Sequence, residues 1–157
     1  MPSAQRQNGF EEVFTVTDYY DGPRRGIANF NGQPHLYDCV FADEKQDYSN
    51  LYRLTPVSEE LFLLALEDWT IWKRWELAFH AGEVNLDSHP ALPAERDRHL
   101  YLQSLLDEQL KTDTAGCLLR AGAFANAGTK AAAKGILIDL VVKWSEPNED
   151  SDRIWAD

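Results

Sequence analysis

Residues 25–41 read RGIANFNGQPHLYDCVF, and this stretch decides the fold. At its centre, Asn31-Gly32 is a strong hairpin signal, because both residues tolerate the positive φ that a type I′ turn imposes. A two-residue loop sets Phe30 opposite Gln33, and counting outward pairs Ala28 with His35 and Gly26 with Tyr37. One face then carries Phe30, His35, Tyr37, Cys39 and Phe41, and the other Ile27, Leu36 and Val40. Both faces are partly apolar, so the hairpin is expected in a sheet region packed on at least one side.

Working outward, Val13 to Tyr20 is rich in β-branched and aromatic residues and stops at the turn chemistry of Asp21-Gly22-Pro23, which predicts a preceding strand. After the hairpin, Asp43 to Asn50 reads as a polar loop and Leu51 to Leu54 as a short fourth strand. Ser58 then has the character of a helix N-cap, Glu59 and Glu60 suit the positive end of the dipole, and Gly82 closes the segment. On this helix, 58–81, Leu61, Leu64, Ala65, Asp68, Trp72, Trp75 and Phe79 fall in one stripe, with Trp69 at its edge. A second helix is expected at about Pro93 to Lys111, with Pro93 in its first turn. The final third returns to β: Leu118 to Ala125, then Ile136 to Trp144 with its alternating apolar residues. Asn126 to Gly135 fits either a loop or one Ala-rich helical turn.

The order of elements predicts an α+β fold, an antiparallel sheet packed against two central helices. Whether the strands form one open sheet or curl into a small barrel is not decided by pattern. The organisation expected is a flexible N-terminus at 1–12, a single domain at 13–145 and an acidic tail at 146–157. With 157 residues the chain is long enough to bury about 70% of its unfolded surface, so it needs no disulfide or metal to fold. Its 26 acidic and 15 basic residues give a net charge of −11, which argues against nucleic acid and anionic lipid as partners. No apolar run approaches the length of a membrane span, and a cytoplasmic protein is expected. Cys39 and Cys117 cannot form a CxxC metal site and read as free thiols.

Candidate chemistry is sparse. Asp68 stands in the middle of an apolar helix stripe, where a carboxylate must be paired or hydrogen-bonded. It reads as a buried acid or base, or as a carboxylate accepting from an indole, an amide or a guanidinium such as that of Arg120. His35, on the aromatic strand face, is a candidate assisting histidine. Trp72 and Trp75 are candidates for stacking on a ligand or partner, since tryptophan is enriched in binding hot spots. Arg24 and Arg25 beside a turn have the makings of an anion clamp. Glu76 and His80 are four residues apart, a spacing that suits an ion pair or two metal ligands. His89, Asp97 and His99 are the residues that would have to complete such a site, but no paired-ligand motif supports it, and no metal or cofactor is expected. Phosphate-binding glycine loops, serine nucleophile elbows and Cys-His pairs are absent. The expectation is therefore a non-catalytic module that binds a protein partner or its own copy. The alternative is a small enzyme or ligand-binding protein with a pocket between helix 58–81 and the sheet, using Asp68.

Overall fold

The computed structural model describes residues 9–42, 47–126 and 139–147. Two compact units make up the chain: one draws on the sequence up to Val57 and again from Thr112, the other is Ser58–Lys111.

The first unit is an antiparallel sheet whose described strands are β1 (Phe10–Glu12), β2 (Asp18–Tyr19), β3 (Pro23–Phe30), β4 (Gln33–Ala42), β5 (Asp47–Pro56), β6 (Leu118–Asn126) and β7 (Leu140–Ser145). Their order is β1-β7-β6-β5-β4-β3-β2, so each strand from β3 to β7 lies beside its neighbour in sequence. The Asn31-Gly32 turn sets the β3–β4 register as the sequence predicts: Phe30 opposite Gln33, Ala28 opposite His35 and Gly26 opposite Tyr37. Both residues of the turn take positive φ, 54° and 76°. The fold is α+β, in agreement with the sequence.

Two departures from the sequence reading change the pairing of the sheet. Strand β5 starts at Asp47, so half of the expected polar loop at Asp43 to Asn50 is ladder, with Tyr48 opposite Phe41 and Asp47 opposite Ala42. The polar residues belong there because a register shift between Cys39 and Phe41 opens a gap in the ladder. The Ser49 hydroxyl fills it, donating to the Val40 carbonyl at 2.7 Å and accepting from the Leu51 amide at 3.1 Å. The second departure is at the start of the chain, where the segment expected as one strand from Val13 to Tyr20 begins earlier and serves two neighbours. Phe10–Glu12 pairs with β7, and the Val13 amide donates to Leu140 O. From Phe14 onward the amides turn to β3, with Phe14 donating to Ile27 O at 2.8 Å and Thr17 to Arg25 O at 2.7 Å. One segment thus occupies both edges, and the sheet curls closed into a barrel.

Inside it Tyr37, Tyr52, Phe124 and Trp144 form a four-ring cluster in which every pair is in contact, with centroids 5.3 to 6.3 Å apart. The rings are tilted or edge-on, the arrangement their quadrupoles favour. Each polar handle finds a carbonyl: Tyr37 Oη donates to Thr15 O, Tyr52 Oη to Pro23 O and Trp144 Nε1 to Asn29 O, all at 2.9 Å. Burial without these bonds would leave three unsatisfied donors. Ala28, Cys39, Leu54 and Val142 complete this core. On the opposite face of the hairpin Ile27 and Leu36 are also buried, as the apolar pattern of both faces predicts.

The second unit contains α1 (Glu59–His80) and α2 (Arg96–Gln109). Ser58 is the N-cap, its hydroxyl accepting from the Leu61 amide. Beyond the last turn the Gly82 amide donates to Phe79 O and the Glu83 amide to Ala78 O, which closes the C-terminus. The second helix starts after a 3₁₀ turn at Pro93–Glu95 rather than at Pro93 itself. Ile71, Ala91 and Leu102 are fully buried together, with Leu64 against them. The buried stripe of α1 runs through Ala65, Ile71, Trp75 and Ala78, rotated from the expected one toward Ile71. The expected acidic tail beyond Pro147, residues 127–135 of the expected loop or Ala-rich turn, residues 136–138 of the expected last strand and residues 1–8 of the expected flexible N-terminus lie outside the described residues. Among the described residues no helix is long and apolar enough to cross a membrane.

Candidate functional site

The residues singled out from sequence fall in both units. In the helical unit, the carboxylate of Asp68 meets His99 Nδ1 at 2.7 Å. The pair is largely enclosed, with side chains 21% and 10% exposed. A histidine 31 residues away thus fills the role for which an indole, an amide or Arg120 was considered. Arg120 donates to Leu119 O and pairs with Glu146 at 3.4 Å. Two charge pairs accompany the Asp68–His99 contact: Arg98 donates to both oxygens of Glu67 at 2.6 and 2.8 Å, and Arg74 grips Glu95. The Arg98 hydrogen bond holds the Glu67 carboxyl below the usual carboxylate range. These pairs tie α1 to α2 and its preceding turn.

Trp75 is 2% exposed, stacked on Phe79 and edge-on to His89, and its indole donates to Ser88 Oγ at 2.8 Å. It is a core residue of the helical unit. Trp72 is half-buried beside Trp69, ring centroids 4.8 Å apart. Glu76 and His80 form an i,i+4 pair at 3.2 Å on the helix surface. Among the described residues no three His, Cys, Asp or Glu side chains are grouped to hold a metal ion.

In the barrel, His35 is buried, its Nδ1 2.9 Å from Gln33 O and its ring edge-on to Phe30. Arg24 is fully engaged by its own chain: Nε donates to Tyr20 O at 2.7 Å, Nη2 to Asp21 O at 3.0 Å and Nη1 to Cys39 Sγ at 3.7 Å. Its guanidinium carbon also lies 4.6 Å from the centroid of the Tyr48 ring. Arg25 stands on β3 opposite Asp18 on one side and Asp38 on the other. The two arginines therefore do not form an open anion clamp; Arg24 organises the turn instead.

What Arg24 organises was not legible from the arginines. Tyr48 carries its guanidinium on one side and contacts Tyr20 at 6.2 Å and Phe41 at 5.1 Å. Tyr20 and Phe41 are 65% and 43% exposed, so the outer rings of this cluster face solvent. Asp18 and Asp21 are exposed on the same strand and turn. Two exposed aromatics held against Tyr48, beside a cation and a tight turn, form a prearranged patch, the residue chemistry that dominates protein interfaces. Behind the patch Cys39 is buried and donates to Ser49 O at 3.1 Å. Burial pushes its thiol pKa up, opposed in part by Arg24. The phenols of Tyr37 and Tyr52 are pushed up by burial as well, so the barrel interior stays neutral. No known protein family, curated protein or solved structure matches this chain.

Proposed function

We propose that this protein is a non-catalytic interaction module whose barrel end, built from Tyr20, Phe41 and Tyr48, docks a protein partner presenting basic side chains. The observation that carries the reading is the exposure of Tyr20 and Phe41 in one cluster with Tyr48 and Arg24. Charge supports the choice of partner: the chain bears −11, and Asp18 and Asp21 are exposed on the adjoining strand and turn. The cluster already takes a guanidinium against one of its own rings, which is the contact a partner arginine would repeat. Two copies of a chain with this net charge repel, so self-association is the less favoured outcome.

The test is a titration of isotope-labelled protein with a hexa-arginine peptide, followed by amide chemical shifts, with hexa-glutamate as control. Shifts centred on Tyr20, Phe41 and Tyr48, and lost in Tyr20→Ala/Phe41→Ala, support the reading. Shifts spread over the acidic surface, or unchanged in that charge-neutral variant, refute it. Sedimentation of the free protein as a dimer would redirect it to self-association.

The second reading, a small enzyme, rests on the 2.7 Å contact between Asp68 and His99. A carboxylate that holds Nδ1 orients an imidazole for acid-base work at its other nitrogen. The same bond also serves structure by joining two helices, so its test is stability, given below.

A further inference from the structure

The tip of the β3–β4 hairpin carries a chemical liability that the first strand keeps in check. Asn31 and Gly32 are both exposed. An Asn-Gly step deamidates when the glycine nitrogen attacks the asparagine side-chain carbon. The N–Cγ bond forms, the nitrogen loses its proton to solvent, solvent returns a proton to Nδ2, and the Cγ–Nδ2 bond breaks with ammonia leaving. Water then opens the succinimide ring to aspartate or isoaspartate. Glycine permits the attack because no Cβ crowds its nitrogen, and nothing lies within 4 Å of the Cβ position of Gly32. The nitrogen must give up its proton for the reaction to proceed.

In this structure that proton is held. The carboxylate of Glu11, on β1, spans the turn: Oε1 accepts from the Gly32 amide at 2.8 Å and Oε2 from the Asn31 amide at 2.9 Å. A carboxylate bonded to an amide N–H opposes its deprotonation in two ways. The charge-assisted bond is lost in the reaction, and the negative charge disfavours an incipient amide anion. The flanking backbone is fixed as well, since Trp144 donates to Asn29 O and Phe30 sits in the ladder opposite Gln33.

We propose that Asn31 is a deamidation site gated by Glu11, so that the covalent state of the hairpin tip records how often β1 leaves the barrel. The product reinforces the opening. A carboxylate at position 31 adds a second negative charge on the residue whose amide Glu11 holds, and the isoaspartyl form adds a backbone carbon to a loop whose register requires two residues. Either change weakens the hold of β1 on the hairpin.

The experiment incubates full-length protein and Glu11→Gln at neutral pH and 37 °C, and follows position 31 by peptide mapping that separates aspartate from isoaspartate. The chain's other Asn-Gly step, Asn8-Gly9, is read in the same digest. Conversion at Asn31 about tenfold faster in Glu11→Gln, the worth of one charge-assisted bond, with Asn8 unchanged, supports the gate. Equal rates at Asn31 in the two proteins, or acceleration at both steps alike, overturn it. Should Glu11→Gln lack a cooperative melt, Asn31→Asp and Asn31→Gly decide by hydrogen exchange. The first is expected to speed exchange of the Val13 and Phe14 amides and the second to leave them as in the parent. Parent-like exchange in Asn31→Asp overturns the proposal.

Discussion

Gly26→Ala tests the closure of the barrel more directly than any loss of a side chain. A Cβ built on Gly26 would stand 2.1 Å from Thr15 O, 2.6 Å from Tyr37 Oη and 2.8 Å from the Thr15 carbonyl carbon. The close approach exists because the first segment crosses β3 here, where the Ile27 amide donates to Thr15 Oγ1 and Tyr37 Oη donates to Thr15 O. Two of the three atoms are backbone, so no rotamer change relieves the overlap. The segment must retreat by about 1 Å, and the hydroxyl of fully buried Tyr37 then loses its acceptor. An unsatisfied buried hydroxyl costs about 1–3 kcal/mol. Overpacking with backbone displacement adds about 1–3 kcal/mol. The expected loss is thus about 2–6 kcal/mol, a large part of the stability of a domain this size. Urea unfolding followed by tryptophan fluorescence measures it, with Tyr37→Phe as reference at about 1 kcal/mol, because that change removes the bond without the clash. A Gly26→Ala loss below about 1 kcal/mol would refute the close crossing and with it the closed barrel.

Three further outcomes follow from the geometry. Asp68→Asn is expected to cost about 1–3 kcal/mol, since it weakens a largely enclosed pair joining two helices, and unchanged stability with altered chemistry would favour the enzyme reading instead. For Glu67, whose carboxyl pKa is lowered by the Arg98 hydrogen bond, the stabilisation is present above the ordinary carboxylate pKa and disappears as pH falls through the lower folded value. The Glu67→Gln variant should therefore differ from the parent in thermal melts at neutral pH and converge with it in acid, the difference being small because the pair is exposed to solvent. Iodoacetamide at mildly alkaline pH should label half-buried Cys117 and spare buried Cys39 until urea unfolds the barrel, and labelling of both at equal rates would contradict the packing of Cys39.

Local signals carried the parts of the fold that are local. Asn31-Gly32 fixed the hairpin register because a two-residue turn leaves one way to pair the strands, and Ser58 marked a helix start because its hydroxyl answers an amide three residues on. The parts that were illegible are non-local or irregular. Phe10 to Tyr19 changes partner midway and carries a register shift between Asp18 and Tyr19, so no period of two runs through it. The polar Asp47 to Asn50 concealed a strand because Ser49 serves a break in the ladder. Asp68 was conspicuous as a charge on an apolar stripe, yet its partner lies on the next helix, where no spacing rule points. The patch around Tyr48 is not visible in the sequence because Tyr20, Phe41 and Tyr48 come from two strands and a turn, and none is unusual by itself.

The division of the first segment between two edges also governs the order of assembly. Phe10 pairs with Lys143, so a residue made before the β3–β4–β5 meander meets one made after β6. The β3–β4–β5 meander needs only contacts between near neighbours and can form while the rest of the chain is still on the ribosome. Its β5 edge must then stay unpaired until the 54 residues of Ser58–Lys111 have been made and β6 follows. During that interval the nascent chain exposes an open strand of the kind that recruits foreign strands. Barrel closure consequently waits until β7 has been made and can take β1 as its neighbour.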